Sequence, residues 1–296
     1  WARLCPHGSN TDFSNACATI SLPVERRVPN PTSPHADFAT STRHAHDSDS
    51  EKGSVVAIIG VTFRFFMELK QFYNQLWNES LPKFQAGNFQ FDPFLDATTD
   101  QRYGVTLLAR PTENVKKAIG RTLEEIQAVA PNQYYYPHSD LHLTVLSIIS
   151  CYAGFSLDQI NPSAYKNLIH STLKKFQPFK INFKGLTASP SAILVQGFPD
   201  NDQLNQIRNE LRKKFRESNL KHSIDQRYSI QTAHLTVIRF KKKLDNTNTF
   251  INKINHLKNR EFGHSDINEL ELVANDWYQK KDKVKLMRKF NLNSNQ

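Results

Sequence analysis

The sequence predicts an α/β or α+β protein of two similar lobes, and three observations carry that prediction. The tetrapeptide His-Leu-Thr-Val occurs twice, at residues 142–145 and 234–237. Each copy closes a unit of the same order: an apolar strand running to a proline, an amphipathic helix, then the His-x-Thr strand. From proline to histidine is 31 residues in the first unit and 35 in the second, so the units read as an internal duplication. Two copies at so long a period do not make a solenoid.

The elements follow in chain order. The first ~50 residues are rich in Ser, Thr, Pro, Asn and His without periodicity, and disorder is expected there. Residues 1–66 as a whole are expected to be disordered or a non-native leader, with the native start at Met67, where an amphipathic helix opens. The tail histidines, including His44-x-His46, are read as solvated. The apolar run 55–66 is shorter than the ~20 residues of a bilayer span, and no membrane partner is expected. After the helix comes a loop with Phe91-Asp-Pro-Phe94 and the acidic stretch 96–100.

The first unit is a strand at 104–111, a helix at 113–130 and a strand at 141–149. Val115, Ile119, Leu123 and Ile126 give its helix an apolar stripe. A helix at 165–176 and a strand at 179–186 lead into the second unit, with a strand at 192–199, a helix at 202–217 and a strand at 230–240. There the stripe is Leu204, Ile207, Leu211 and Phe215, and Pro111-Thr112 and Pro199-Asp200 are helix-entry signals. A helix at 250–257 and strands at 269–274 and 284–291, with 275–283 as the turn, close the chain. Residues 67–296 form one domain in this reading, with lobes at about 103–176 and 178–292 and room for strand exchange between them.

The formal charge of +10 is unevenly placed: residues 1–66 hold 6 basic and 6 acidic residues, so the later part carries the whole excess. A basic domain suits an anionic partner, nucleic acid included. Cys5, Cys17 and Cys151 have no metal-ligand spacing; a buried reduced Cys151 and a cytoplasmic location are expected.

In a strand, residues i and i+2 share a face. His142 and Thr144 therefore stand side by side, as do His234 and Thr236, while Leu143, Val145, Leu235 and Val237 turn to the core. Two such strands brought together set two histidines and two threonines around one small anion. Alone, a single His-x-Thr is only the polar face of a half-exposed sheet. Strict alternation puts Arg239 with Leu235 and Val237; it reaches the anion only if the strand bulges or ends nearby, and otherwise serves a structural or surface ion pair.

Paired His-x-Thr strands in a duplicated chain resemble the two-histidine (2H) phosphoesterase superfamily, in its 2'-5' RNA ligase and RNA 2',3'-cyclic phosphodiesterase branch. Residues 100–292 carry the resemblance, including the trailing arginine of His234-Leu-Thr-Val-Ile-Arg239 and the closing strand pair. It implies an α+β, bilobal fold: two antiparallel sheets flanked by helices, with both motifs in a central cleft. It also implies a metal-independent hydrolase, or ligase in reverse, with no cofactor. RNA ends or small nucleotides with a 2',3'-cyclic phosphate, or 2'-5' diesters, are the substrates it points to. His142 and His234 are then the acid–base pair, and Thr144, Thr236 and Arg239 bind phosphate. A monomer is expected. The alternative is a non-catalytic nucleotide- or RNA-binding module using the same cleft.

Other candidates are open to both readings. Arg208, Arg212, Lys213, Lys214 and Arg216 crowd one helix and Lys241-Lys242-Lys243 follows the second motif, as an RNA-backbone track or as solvated faces. Tyr134–Tyr136, Phe198, Trp277 and Tyr228 are base-stacking or packing residues. His138, His170, His222, His256 and His264 are read as surface or structural.

Overall fold

A computed structural model describes residues 50–227 and 229–293, with side-chain surroundings from residue 67 onward. The expectations for residues 1–49, with Cys5, Cys17 and the tail histidines, and for Tyr228 lie outside the described residues. The chain is α+β, with five α-helices among the described residues packed on a curled antiparallel sheet.

In order, the elements are α1 (Ser50–Gln85), β1 (Arg102–Ala109), α2 (Glu113–Gln127), β2 (Tyr134–Tyr135), β3 (Leu143–Ala153), α3 (Pro162–Leu173), β4 (Phe179–Ser189) and β5 (Ala192–Pro199). Then come α4 (Gln203–Arg216), β6 (Leu235–Arg239), α5 (Thr247–Leu257), β7 (Glu261–Ile267), β8 (Glu269–Asp276) and β9 (Lys285–Asn291). The helix expected to open at Met67 is the C-terminal part of α1, so the boundary set at residue 66 falls inside one helix. Both apolar stripes are buried, in α2 through Val115, Ile119, Leu123 and Ile126 and in α4 through Leu204, Ile207, Leu211 and Phe215. Asn161 and Asn246 cap α3 and α5, each accepting a backbone N–H through its side chain.

The sheet order is β7-β4-β5-β6-β3-β1-β8-β9, with β2 alongside β6. It is two half-sheets, β3-β1-β8-β9 and β6-β5-β4-β7, joined by a single pair, Leu143 with Leu235. The chain exchanges strands between the halves: the C-terminal hairpin β8–β9 completes the first half, although β4 and β7 belong to the second. One contiguous set of buried side chains runs through both halves.

Two strands have no counterpart in the sequence reading. β2 is two residues long. In β7, buried Phe262, Ser265 and Ile267 break the alternation at Gly263, whose φ of +93° and register shift against β4 mark a bulge. The second motif strand is also shorter than the expected 230–240. Backbone groups just before it are held by side chains instead of a ladder: Ala233 N–H donates to Tyr73 Oη, and Thr232 C=O accepts from Arg208.

Tyr73 stands on α1, in a small cluster with Leu69, Leu76, Leu194 and Phe198. Its hydroxyl donates to Gly197 C=O and accepts from the N–H groups of Gly197 and Ala233 at 3.1, 3.3 and 3.2 Å. The backbones meet closely here, because a Cβ on Gly197 would lie 1.9 Å from Ala233 O. Tyr73→Phe strands these buried groups and is expected to lower stability by roughly 1–3 kcal/mol. A urea midpoint equal to wild type would show that α1 does not anchor the strand before His234. No helix among the described residues is long and apolar enough to cross a membrane.

Candidate active site

The half-sheets meet at a cleft of about 200 Å³ lined by His142, Thr144, His234 and Thr236. The joining pair is itself the second residue of each motif. Carried one residue to either side, its antiparallel register sets His142 opposite Thr236 and Thr144 opposite His234. Leu143, Val145, Leu235 and Val237 are buried, while the two histidines and two threonines keep partial exposure, as strand alternation requires.

Each motif strand then bulges at the same place. Leu107 pairs with Leu146 and Leu108 with Thr144, which leaves Val145 as the extra residue of β3. Ile193 pairs with Ile238 and Leu194 with Thr236, which leaves Val237 as the extra residue of β6. A bulge resets the alternation, so the residue three after each threonine returns to the cleft. In the second copy that residue is Arg239 and in the first it is Ser147, and both line the cleft. Strict alternation, which sent Arg239 to the other face, does not hold past Thr236. Arg239 Nε donates to Tyr136 Oη at 2.9 Å.

The imidazoles are held differently. His142 Nδ1 lies 2.7 Å from the carbonyl oxygen of Asp140. A carbonyl only accepts, so Nδ1 carries the proton and Nε2 of the neutral ring has its lone pair free. His234 Nδ1 lies 2.6 Å from Thr232 Oγ1, a hydroxyl that donates or accepts, so both tautomers are open to it. Burial pushes both rings down to about 4. For His142 the Asp140 carbonyl opposes this, and Arg110, Arg239 and His234 add to it; for His234, Arg208 and Arg239 add to it. At neutral pH the cleft thus holds two uncharged imidazoles beside a guanidinium. Among the described residues its one lining carboxylate, Asp225, is engaged by Arg212 at 2.7 Å.

From the histidines the cleft continues past Ser147, Ser150 and Ser223 toward Arg227 and Trp277. The Trp277 ring lies 5.0 Å from the Arg102 guanidinium and 5.3 Å from that of Arg227, which also donates to Cys151 C=O. The Cys151 thiol is buried and pushed up to about 12 by that burial, so it is an inert wall residue.

The remaining candidates separate cleanly. Phe198 is core, Tyr136 is buried at the cleft, and Tyr134 packs edge-on against Tyr136. His138, His170, His256 and His264 are exposed, and neither they nor His222 lines the cleft. Arg212 is tied to Asp225, Lys213 and Lys214 to Glu217, and Lys241 to Asp96. Arg208 does not belong to a solvated basic face at all: it is fully buried. Thr232 and the Asp140 carbonyl are site residues that reading the sequence did not assign. Arg208 and Tyr136, named there as a backbone-track and a stacking candidate, hold the motif backbone and Arg239 instead. Among the described residues, no group of three or more His, Cys, Asp or Glu side chains is placed to hold a metal ion.

Residues 115–277, more than half of the chain, match the family model described as the 2'-5' RNA ligase superfamily. Among solved structures the chain is similar to TT0787 of Thermus thermophilus, with 16% identity over 64% of this chain and 97% of that one and a TM-score of 0.49. It is also similar to E. coli LigT complexed with 3'-AMP, with 11% identity, 65% and 99% coverage and a TM-score of 0.45. No curated protein matches the chain.

Proposed function

The chain belongs to the 2'-5' RNA ligase superfamily, and from that premise we propose that it is a metal-independent phosphoesterase acting on RNA-type 2',3'-cyclic phosphates or 2'-5' phosphodiesters. One observation carries the reading: the pair Leu143–Leu235 sets two imidazoles and two hydroxyls around a single cationic cleft. Phosphate binding alone has no use for two titrating rings.

In hydrolysis, water attacks phosphorus and one ribose P–O bond breaks. One imidazole takes the proton of the attacking water, and the other, as imidazolium, gives its proton to the departing ribose oxygen. In the joining direction the two exchange parts. The Thr144 and Thr236 hydroxyls donate to non-bridging oxygens and hold the phosphate for in-line attack, and Arg239 balances its charge. Both rings are neutral in the free cleft, so the acid must be charged as the phosphate binds. An anion beside an imidazole favours its charged form, and substrate binding supplies that anion. The nucleoside lies along the hydroxyl-rich arm, toward Trp277 and Arg227, as an RNA end or a small nucleotide.

The test is hydrolysis of a nucleoside 2',3'-cyclic phosphate in excess EDTA, followed by chromatography of the nucleoside monophosphate. Turnover equal with and without chelator is expected. Tight nucleotide binding with no turnover would replace this reading with that of a binding module.

A further inference from the structure

We propose that Arg208 is the positioning residue of this site: a buried guanidinium in α4 that clamps the two His-x-Thr segments together and supplies fixed positive charge for a phosphate in the cleft. The proposal deepens the function argued above and rests on it for the identity of the anion.

The geometry is specific. Arg208 is 0% exposed. Its Nε donates to Val145 C=O at 2.9 Å and its Nη2 to Thr144 C=O at 3.0 Å, both in the first motif. Nη2 also donates to Thr232 C=O at 2.8 Å, and Thr232 is the residue whose hydroxyl meets His234 Nδ1. Nη1 reaches Asn205 Oδ1 at 3.5 Å. One side chain thus touches the backbone behind Thr144 and the residue that orients His234.

Its charge needs a separate reason. No described carboxylate forms an ion pair with Arg208, and burying an unpaired cation is costly. Burial lowers it to about 9, with repulsion from Arg212 and attraction from Tyr73, so it is still charged at neutral pH. Carbonyls can be bridged by neutral groups, so bridging alone does not explain an arginine. Nor does the fold demand one. In the shared Ile-x₃-Leu frame, Ile119 and Leu123 of α2 match Ile207 and Leu211 of α4, and the residue matching Arg208 is Gly120. The charged groups bearing on His234 are Arg208 and Arg239, both cations. A phosphate in the cleft answers both.

The experiment compares wild type with Arg208→Gln and Arg208→Lys. It reads inorganic phosphate binding by calorimetry, the His234 titration by NMR, and kcat and KM on a nucleoside 2',3'-cyclic phosphate. Arg208→Gln should weaken phosphate binding on the order of tenfold, about 1.4 kcal/mol. The His234 titration should move to higher pH in Arg208→Gln but stay near wild type in Arg208→Lys, which keeps the charge. Lost packing, by hydrating the ring, would move it in both. Arg208→Lys keeps charge without the planar fork, so it should bind phosphate within about threefold of wild type but lose roughly tenfold or more in kcat, since misplacing a catalytic group lowers the rate. A folded Arg208→Gln with wild-type phosphate affinity and His234 titration would overturn the charge role. If Arg208→Gln does not fold, Arg208→Lys decides, and wild-type kcat in it overturns the clamp. Arg208-dependent phosphate binding in a wild-type protein that turns over no cyclic phosphate would sink the proposed function and leave this one standing.

Discussion

Alanine at His142 or at His234 is expected to lower kcat/KM for a nucleoside 2',3'-cyclic phosphate by roughly 10²–10⁴-fold, the usual range for one general acid or base. Each ring lines the same cleft and lies across the strand pair from the other motif's threonine. Two other titratable groups of the lining do not replace them: Tyr136 is committed to Arg239 and Cys151 is held as a neutral thiol. The double variant should lose little more than the worse single one, because the two rings act on one transition state. Thr144→Val and Thr236→Val should lose less, roughly tenfold to 10²-fold, as single hydrogen-bond donors to developing charge. Steady-state kinetics in chelated buffer check all five variants. Retention of half the wild-type rate in either alanine variant would remove that histidine from the chemistry.

Acid should destabilise the fold through the same two residues. A histidine titrates near 6.5 in an unfolded chain, whereas burial holds both His142 and His234 at about 4 in the folded one. Between those values the unfolded chain binds more protons than the folded chain. Stability is therefore full above about pH 6.5 and falls as the pH drops toward 4, by up to about 3 kcal/mol for each ring. Urea midpoints at pH 7.5 and pH 5 should separate widely in wild type and much less in a His142→Gln, His234→Gln variant. Parallel behaviour of the two proteins would mean that burial does not hold the rings neutral. Inorganic phosphate should narrow the wild-type gap, because an anion in the cleft favours the charged rings. A phosphate effect no larger at pH 5 than at pH 7.5 would separate anion binding from ring protonation.

The legible part of this protein was the part governed by local geometry. The stripes of α2 and α4 are buried where helical periodicity put them. Partial exposure of His142, Thr144, His234 and Thr236 against burial of the leucines and valines between them follows from two-residue alternation. The duplication was readable because both units keep the same order of elements. Less legible were segments whose structure comes from remote partners: β7 has an interrupted alternation, and β6 begins late because Tyr73 and Arg208 take the backbone groups before it.

The sequence by itself determined the family, the two-unit plan and the quartet of histidines and threonines, since each depends on residues close together in the chain. Tertiary structure decided what surrounds that quartet. Bulges at Val145 and Val237 arise from strand register, which neighbouring strands set, and it is the one at Val237 that brings Arg239 into the cleft. The burial of Arg208 arises from the packing of α4 behind the first motif strand and the segment leading into the second, where a residue that looks solvated in a row of basic side chains loses its water. Periodicity specifies which face a side chain takes along its own element. Register and desolvation belong to pairs of elements, and are settled only when the halves of the sheet meet.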